Sequence, residues 1–166
     1  MSKSDNIEKR AEDTAAINEL YERWRSAWLN VDVKVMLSLF DPSFEGVIYQ
    51  SEENPEALLS YKDIVSYWTN AVNILSKVPE WKELKKQVTF IGEDSVVIWV
   101  LLDTKLHLNV SPPQELGGKL RCVLGLRKAN GKWTIAHYDE SRHFLMSPDA
   151  QGIWSYNIDH TKKTLS

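Results

Sequence analysis

Apolar residues recur at spacings of three and four through the first part of the chain and alternate with polar ones through the second, so helices come first and strands follow. Ile17, Leu20, Tyr21, Trp24, Ala27, Trp28 and Val31 draw one apolar stripe along a long first helix. Asp32 suits the N-cap of a short second helix in which Val33, Met36, Leu37 and Phe40 share a face. Asp41-Pro42 ends that helix, because the residue before a proline avoids helical backbone. Residues 44–51 read as a strand and 51–55 as a loop. Ser60, with Asp63 three positions on, forms a capping box for a third helix striped by Ile64, Tyr67, Trp68, Ala71 and Leu75.

The period then changes to two. Residues 84–91 form a strand, Gly92-Glu93-Asp94-Ser95 a turn, 96–110 a long strand and 111–118 a loop. Two more strands, 120–128 and 132–143, meet at Asn130-Gly131, whose residues tolerate the positive φ angles of a tight hairpin. Helices followed by strands predict an α+β domain with the helices stacked on one face of an antiparallel sheet. An unrelated α+β sandwich fits the same pattern.

A chain of 166 residues suits one domain and buries roughly 70% of its unfolded surface, so a core needs no covalent staple. No linker or repeat divides it. Cys122 stands alone, which excludes a disulfide framework or a thiolate metal cage within one chain. Twenty basic residues face 23 acidic ones without a long block of one sign beyond the short run at 82–86, and nothing in that balance calls for nucleic acid. The longest apolar run, 96–102, is too short to span a bilayer, and the first residues lack the apolar core of a signal peptide. These features predict a cytoplasmic protein with no membrane partner. Phosphate-binding glycine loops, Gly-x-Ser-x-Gly elbows and Cys/His zinc spacings are absent, which disfavours nucleotide-dependent, redox and serine-hydrolase chemistry and implies no cofactor.

Candidate chemistry follows from counting outward from Asn130-Gly131. With Ala129 opposite Lys132, Arg121 faces Glu140, and Val123 with Tyr138 and Gly125 with Ala136 lie on the same side. The other side carries Leu126 with Ile135, Leu124 with His137, and Cys122 with Asp139. Arg121 and Glu140 read either as an ordinary cross-strand ion pair or as polar contacts inside a cavity, where the carboxylate moves a proton. His137 and Asp139 read either as an acid/base dyad or as structural groups at a subunit contact. The His137-x-Asp139-x-x-x-His143 string uses metal-binding residue types, but a straight strand sets the two histidines ~20 Å apart, so no metal site is expected. Trp24, Trp28, Trp68 and Tyr49 come from elements that converge, as core or as a surface for stacking a ligand.

Trp24-x-x-x-Trp28-x-x-x-Asp32, Leu39-Phe40-x-Pro42-x-Phe44, Tyr67-Trp68, the turn Ile91-Gly92-Glu93-Asp94 and Gly131-Lys132-Trp133-x-Ile135-x-His137-x-x-x-Ser141 together resemble the nuclear transport factor 2-like superfamily. Within it the chain is similar to SnoaL-like domains and to the association domain of calcium/calmodulin-dependent protein kinase II. The likeness, from about residue 12 to 141, implies a cone: three N-terminal helices on a strongly curved, mixed, mainly antiparallel sheet of the cystatin-like roll kind. It also implies a dimer through the outer sheet face, a domain spanning 1–143, and a tail, 144–166 with Trp154 and Tyr156, that packs on the domain or on a partner subunit. Ketosteroid isomerases of this superfamily carry a tyrosine where Trp24 stands and acids near Ile48 or Tyr49 and near Val123. None of these is present, so that chemistry is not expected. The kinase association domain matches at His137, but its second histidine and the arginine after it fall at Asp139 and Glu140, and its pocket arginine falls at Leu102. An acidic, more apolar pocket is therefore implied, with position 140 pointing into it.

The resulting expectation is a cone that binds a small apolar or ring-containing molecule. Glu140, His137 and Asp139 are its candidate catalytic groups, with Arg121, Tyr138, Tyr49, Trp24, Trp28, Trp68 and Leu102 as ligand contacts. Cofactor-free lyase, isomerase or cyclase chemistry is one outcome, and a non-catalytic binding or oligomerisation module the other.

Overall fold

The computed structural model describes residues 3–142, in the order α1 (Lys3–Asn30), α2 (Val33–Leu37), β1 (Ile48–Gln50), α3 (Tyr61–Ile74), β2 (Leu75–Phe90), β3 (Ser95–Leu108), β4 (Gln114–Ala129) and β5 (Lys132–Arg142). His143 and the tail expected to pack on the domain or a partner lie outside the described residues.

The helix ends form as their polar residues require. After α1 the chain reverses at Val31, whose φ is 51°, and the Asp32 N–H closes back on the Ala27 carbonyl at 2.8 Å. The Asp32 carboxylate then accepts from the Val35 N–H at 3.0 Å and starts α2. Ser60 Oγ accepts from the Asp63 N–H at 3.1 Å and donates to the Asp63 carboxylate at 2.6 Å, fixing the start of α3.

Five strands make one mixed sheet in the order β1-β5-β4-β3-β2, with β1 parallel to β5 and every other pair antiparallel. Alternation along β3 and β4 turns Val96, Ile98, Val100, Leu102, Leu120, Cys122, Leu124 and Leu126 to one face. The helices cover that face, α1 reaching β2 and β5 and α3 reaching β2. This is the predicted α+β cone. One tether clamps α1 to the hairpin: buried Asp13 accepts from Trp133 Nε1 at 2.9 Å and from Lys128 Nζ at 2.5 Å.

Three elements differ from the sequence reading. β2 starts at Leu75, nine residues before the expected strand, with no break after α3. Its buried residues Leu75, Val78 and Trp81 are spaced by three, a helical interval, because register shifts interrupt the pairing with β3 after Leu75 and after Lys77. β4 starts at Gln114, and Gly117-Gly118, expected in a loop, pair instead with Lys105 and Thr104. β1 shrinks to three residues along β5. At the opposite border of the sheet β2 has no partner on its outer side among the described residues, and it carries Pro79 and Lys77, Lys82, Lys85 and Lys86. No helix among the described residues is long and apolar enough to cross a membrane.

Candidate functional site

The hairpin turn forms where expected, with φ of 51° at Asn130 and 75° at Gly131. Four pairs follow the count, from Ala129 with Lys132 to Leu126 with Ile135. The next pair does not. Gly125 faces His137, and Ala136 is left over as a bulge. A Cβ built on Gly125 would stand 2.9 Å from His137 Cβ, so glycine is what lets the strands close at that point.

The extra residue resorts everything beyond it. Cys122 now faces Glu140 and Leu124 faces Tyr138, which turns both β5 side chains to the covered face. Arg121 pairs with Ser141 on the outer face and is exposed, so the expected Arg121–Glu140 pair does not form and Arg121 is not part of the interior. The reason is packing. A straight count would turn Tyr138 to the side of Arg121, whereas one bulge keeps both Ile135 and Tyr138 in the core. His137 and Asp139 stay together, half-buried, on the outer face, apart from Glu140.

Glu140 is only 5% exposed. Tyr138 Oη donates to Glu140 Oε2 at 2.7 Å, and Cys122 Sγ lies 3.8 Å from the same hydroxyl. The Tyr138 ring stacks on Tyr49 with centroids 4.8 Å apart and is 6.1 Å from Trp24. Trp24 meets Trp81 edge-on at 5.2 Å, and Trp28 meets Trp68 edge-on at 4.9 Å. Leu102 is fully buried on the same face. The four aromatic residues singled out in the sequence thus come together, joined by Trp81, which sequence reasoning missed because it stands on the bulged start of β2.

At the end of this interior Arg142 Nε donates to Glu52 Oε1 at 2.7 Å and Nη1 donates to Thr104 Oγ1 at 3.1 Å. Glu53, next to Glu52, accepts from the Tyr67 hydroxyl at 2.5 Å. Arg142, two residues beyond Glu140 on the same face of β5, also escaped the sequence reading. Seven buried side-chain polar atoms have no hydrogen-bond partner among the described residues: Nε1 of Trp24, Trp28, Trp68 and Trp81, the Tyr49 and Thr134 hydroxyls and Arg142 Nη2. Burying a tryptophan gains roughly 4–6 kcal/mol from its area. An unmatched N–H costs roughly 1–3 kcal/mol. Packing therefore wins.

Burial pushes the Glu140 carboxyl up to about 8, with Glu52 and Glu53 adding to the rise and the Tyr138 hydroxyl and the Glu52 backbone N–H opposing it. Burial likewise raises Tyr49, Tyr138 and the Cys122 thiol, so all three stay neutral. An acid that titrates near neutrality can both give and take a proton. Among the described residues no three His, Cys, Asp or Glu side chains gather as a metal ion would need. An open groove of about 260 Å³ lies between Arg23, Ser38, Lys132 and Trp133, and does not include Glu140.

A family model described as a SnoaL-like domain matches residues 17–147. Solved structures share the fold. The hexachlorocyclohexane dehydrochlorinase LinA-type3 of Novosphingobium barchaimii superposes with a TM-score of 0.68 at 13% identity, over 83% of this chain and 91% of that one. A candidate dehydratase of the nuclear transport factor 2-like family from Streptomyces avermitilis gives 0.65 at 13% identity, over 81% and 99%. An uncharacterised protein with a cystatin-like fold from Caulobacter vibrioides gives 0.67 at 17% identity, over 85% and 94%. At these identities the likeness concerns the fold. No curated protein sequence matches the chain.

Proposed function

The chain belongs to the SnoaL-like domain family, and from that premise we propose that its cone binds an apolar, ring-containing small molecule against Glu140 and Tyr138. One observation carries the reading: a buried carboxyl whose pKa is pushed up to about 8, bonded to Tyr138, whose ring stacks on Tyr49 and lies 6.1 Å from Trp24. Trp24, Trp28, Trp68, Tyr49 and Leu102 supply the apolar wall. Glu140 takes a proton from a ligand carbon and returns it elsewhere, while Tyr138 holds the carboxylate in place. Such a positioned acid/base contributes about 10²–10⁴-fold. The chemistry is of the cofactor-free lyase, isomerase or cyclase type. Two proteins that share the fold are named for eliminations, a dehydrochlorinase and a candidate dehydratase, which fits this reading.

Native mass spectrometry of freshly purified protein, followed by Glu140→Gln, tests it. A retained compound that the variant no longer holds or turns over, with an unchanged fold, is the expected result. Unchanged ligand retention in Glu140→Gln overturns the role of Glu140.

The outer sheet face favours a second property, assembly. Trp99, Leu101 and Val123 lie half-buried there, close to His137 and Asp139. We propose this face as the contact of a homodimer, with His137 and Asp139 at its margin.

A further inference from the structure

The open groove of about 260 Å³ carries charges of both signs that the cone does not use. α1 contributes Glu19 and Arg23 to its lining, Ser38 at the end of α2 closes another side, and Lys132 stands at the hairpin turn. The buried side chains of Leu20, Leu39 and Trp133 give it an apolar floor. Its volume lies just under the ~300–1,000 Å³ of pockets that enclose drug-sized ligands, so its occupant is a smaller molecule.

Glu19 and Arg23 are one helical turn apart, in the order that favours an ion pair along a helix. They do not form one. Among the described residues Glu19, Arg23 and Lys132 each lack an ion-pair partner. Arg23 Nη2 donates instead to Ser38 Oγ at 2.9 Å, and that hydroxyl is itself fixed by donating to the Val35 carbonyl at 2.7 Å. The guanidinium is thereby drawn toward the end of α2 with its charge unmatched, and the Glu19 carboxylate is left without it. We infer that the groove binds a free α-amino acid with an apolar side chain. Glu19 accepts from the ammonium, Arg23 and Lys132 donate to the carboxylate, and the side chain covers Leu39 and Trp133.

Charge selects this class over its neighbours. A plain carboxylate would leave Glu19 unmatched beside it, and a phosphate-like dianion would be repelled more strongly still. A plain amine would face two cations for one carboxylate. A zwitterion holds both signs on one carbon and answers both at once. The groove does not include Glu140, so this inference stands independently of the cone.

The test is a ¹H–¹⁵N correlation NMR titration of the full chain at neutral pH, followed at the Gly131 amide and the Trp133 indole, both of which line the groove. The probes share one ring and chain: L-phenylalanine, 3-phenylpropanoate, which lacks the ammonium, and phenethylamine, which lacks the carboxylate. The amino acid is expected to shift both signals and to bind about two- to fivefold more tightly than either single-charge probe, as one exposed ion pair implies. Glu19→Gln is expected to bring the amino acid to within about twofold of 3-phenylpropanoate without weakening 3-phenylpropanoate itself. Arg23→Gln is expected to weaken both carboxylates and spare phenethylamine. Binding of either single-charge probe as tight as that of the amino acid overturns the ligand class. Absence of shifts at Gly131 and Trp133 with all three probes overturns the site. The comparison in the unaltered protein decides even where a variant does not fold.

Discussion

The Tyr138 hydroxyl donates to Glu140 Oε2 at 2.7 Å, and both residues are shielded from water. They lie two positions apart on one strand face, so the phenol is placed by the backbone and its hydrogen bond costs little extra ordering. Tyr138 is itself held by the stacked Tyr49 ring, which makes the acid's surroundings rigid. The first prediction concerns the protonation of that acid.

Glu140 rises from an ordinary 4.5 to about 8 on folding, chiefly by burial. The folded chain therefore keeps a proton that the unfolded chain releases between those values. Stability linked to this group is fully present below about pH 4.5 and is lost as pH rises through about 8. In thermal melts the protein is expected to lose stability between about pH 5 and about pH 9, by an amount on the order of a few kcal/mol. Glu140→Gln should flatten that dependence and melt above the unaltered protein at the alkaline end.

Gly125→Ala should cost about 1–3 kcal/mol in a urea titration, because the new methyl meets His137 Cβ at 2.9 Å. The obstacle is a Cβ rather than an imidazole. His137→Ala should therefore give no relief in the double variant, whereas His137→Gly should restore much of the loss.

Arg142→Met leaves the half-buried Glu52 carboxylate without its partner and should destabilise by about 3 kcal/mol. Combining it with Glu52→Gln should recover more than half of that. A double-mutant cycle of urea midpoints measures the coupling.

Asp13 tests the other side of the pH scale. Burial alone would raise its carboxyl, but hydrogen bonds from Lys128 and Trp133 outweigh that and hold it below the usual value. The tether's contribution is thus present at neutral pH and fades as pH falls through the folded carboxyl's lowered value. Asp13→Ala should lose about 1–3 kcal/mol by freeing the Trp133 N–H, with no effect on ligand affinity in the cone.

Trp99→Glu places a charge in the half-buried outer face and should convert a dimer to a monomer in size-exclusion chromatography with light scattering. The same change should leave binding in the cone intact.

The local signals in the sequence read true: the Asp32 cap, the Ser60–Asp63 box and the turn at Asn130-Gly131 each depend on a few neighbouring residues. Trp24, Trp28 and Trp68 were legible because helical spacing turns each to the buried face of its helix, and Tyr49 because its strand lies beside them. What escaped was wherever a strand departs from strict alternation. A single surplus residue at Ala136 separated Arg121 from Glu140, and nothing in the local composition marks it except Gly125 opposite. The early turns of β2 imitate a helix for the same reason, which hid Trp81.

The free border of β2 has a consequence for the crowded cell. Among the described residues its outer peptide groups have no partner strand and would template a neighbour's strand, but four lysines against Glu80 and Glu83 leave the flank a positive balance that opposes a like copy, and Pro79 withholds a donor. Encounters along that flank are turned away before hydrogen bonds can zip.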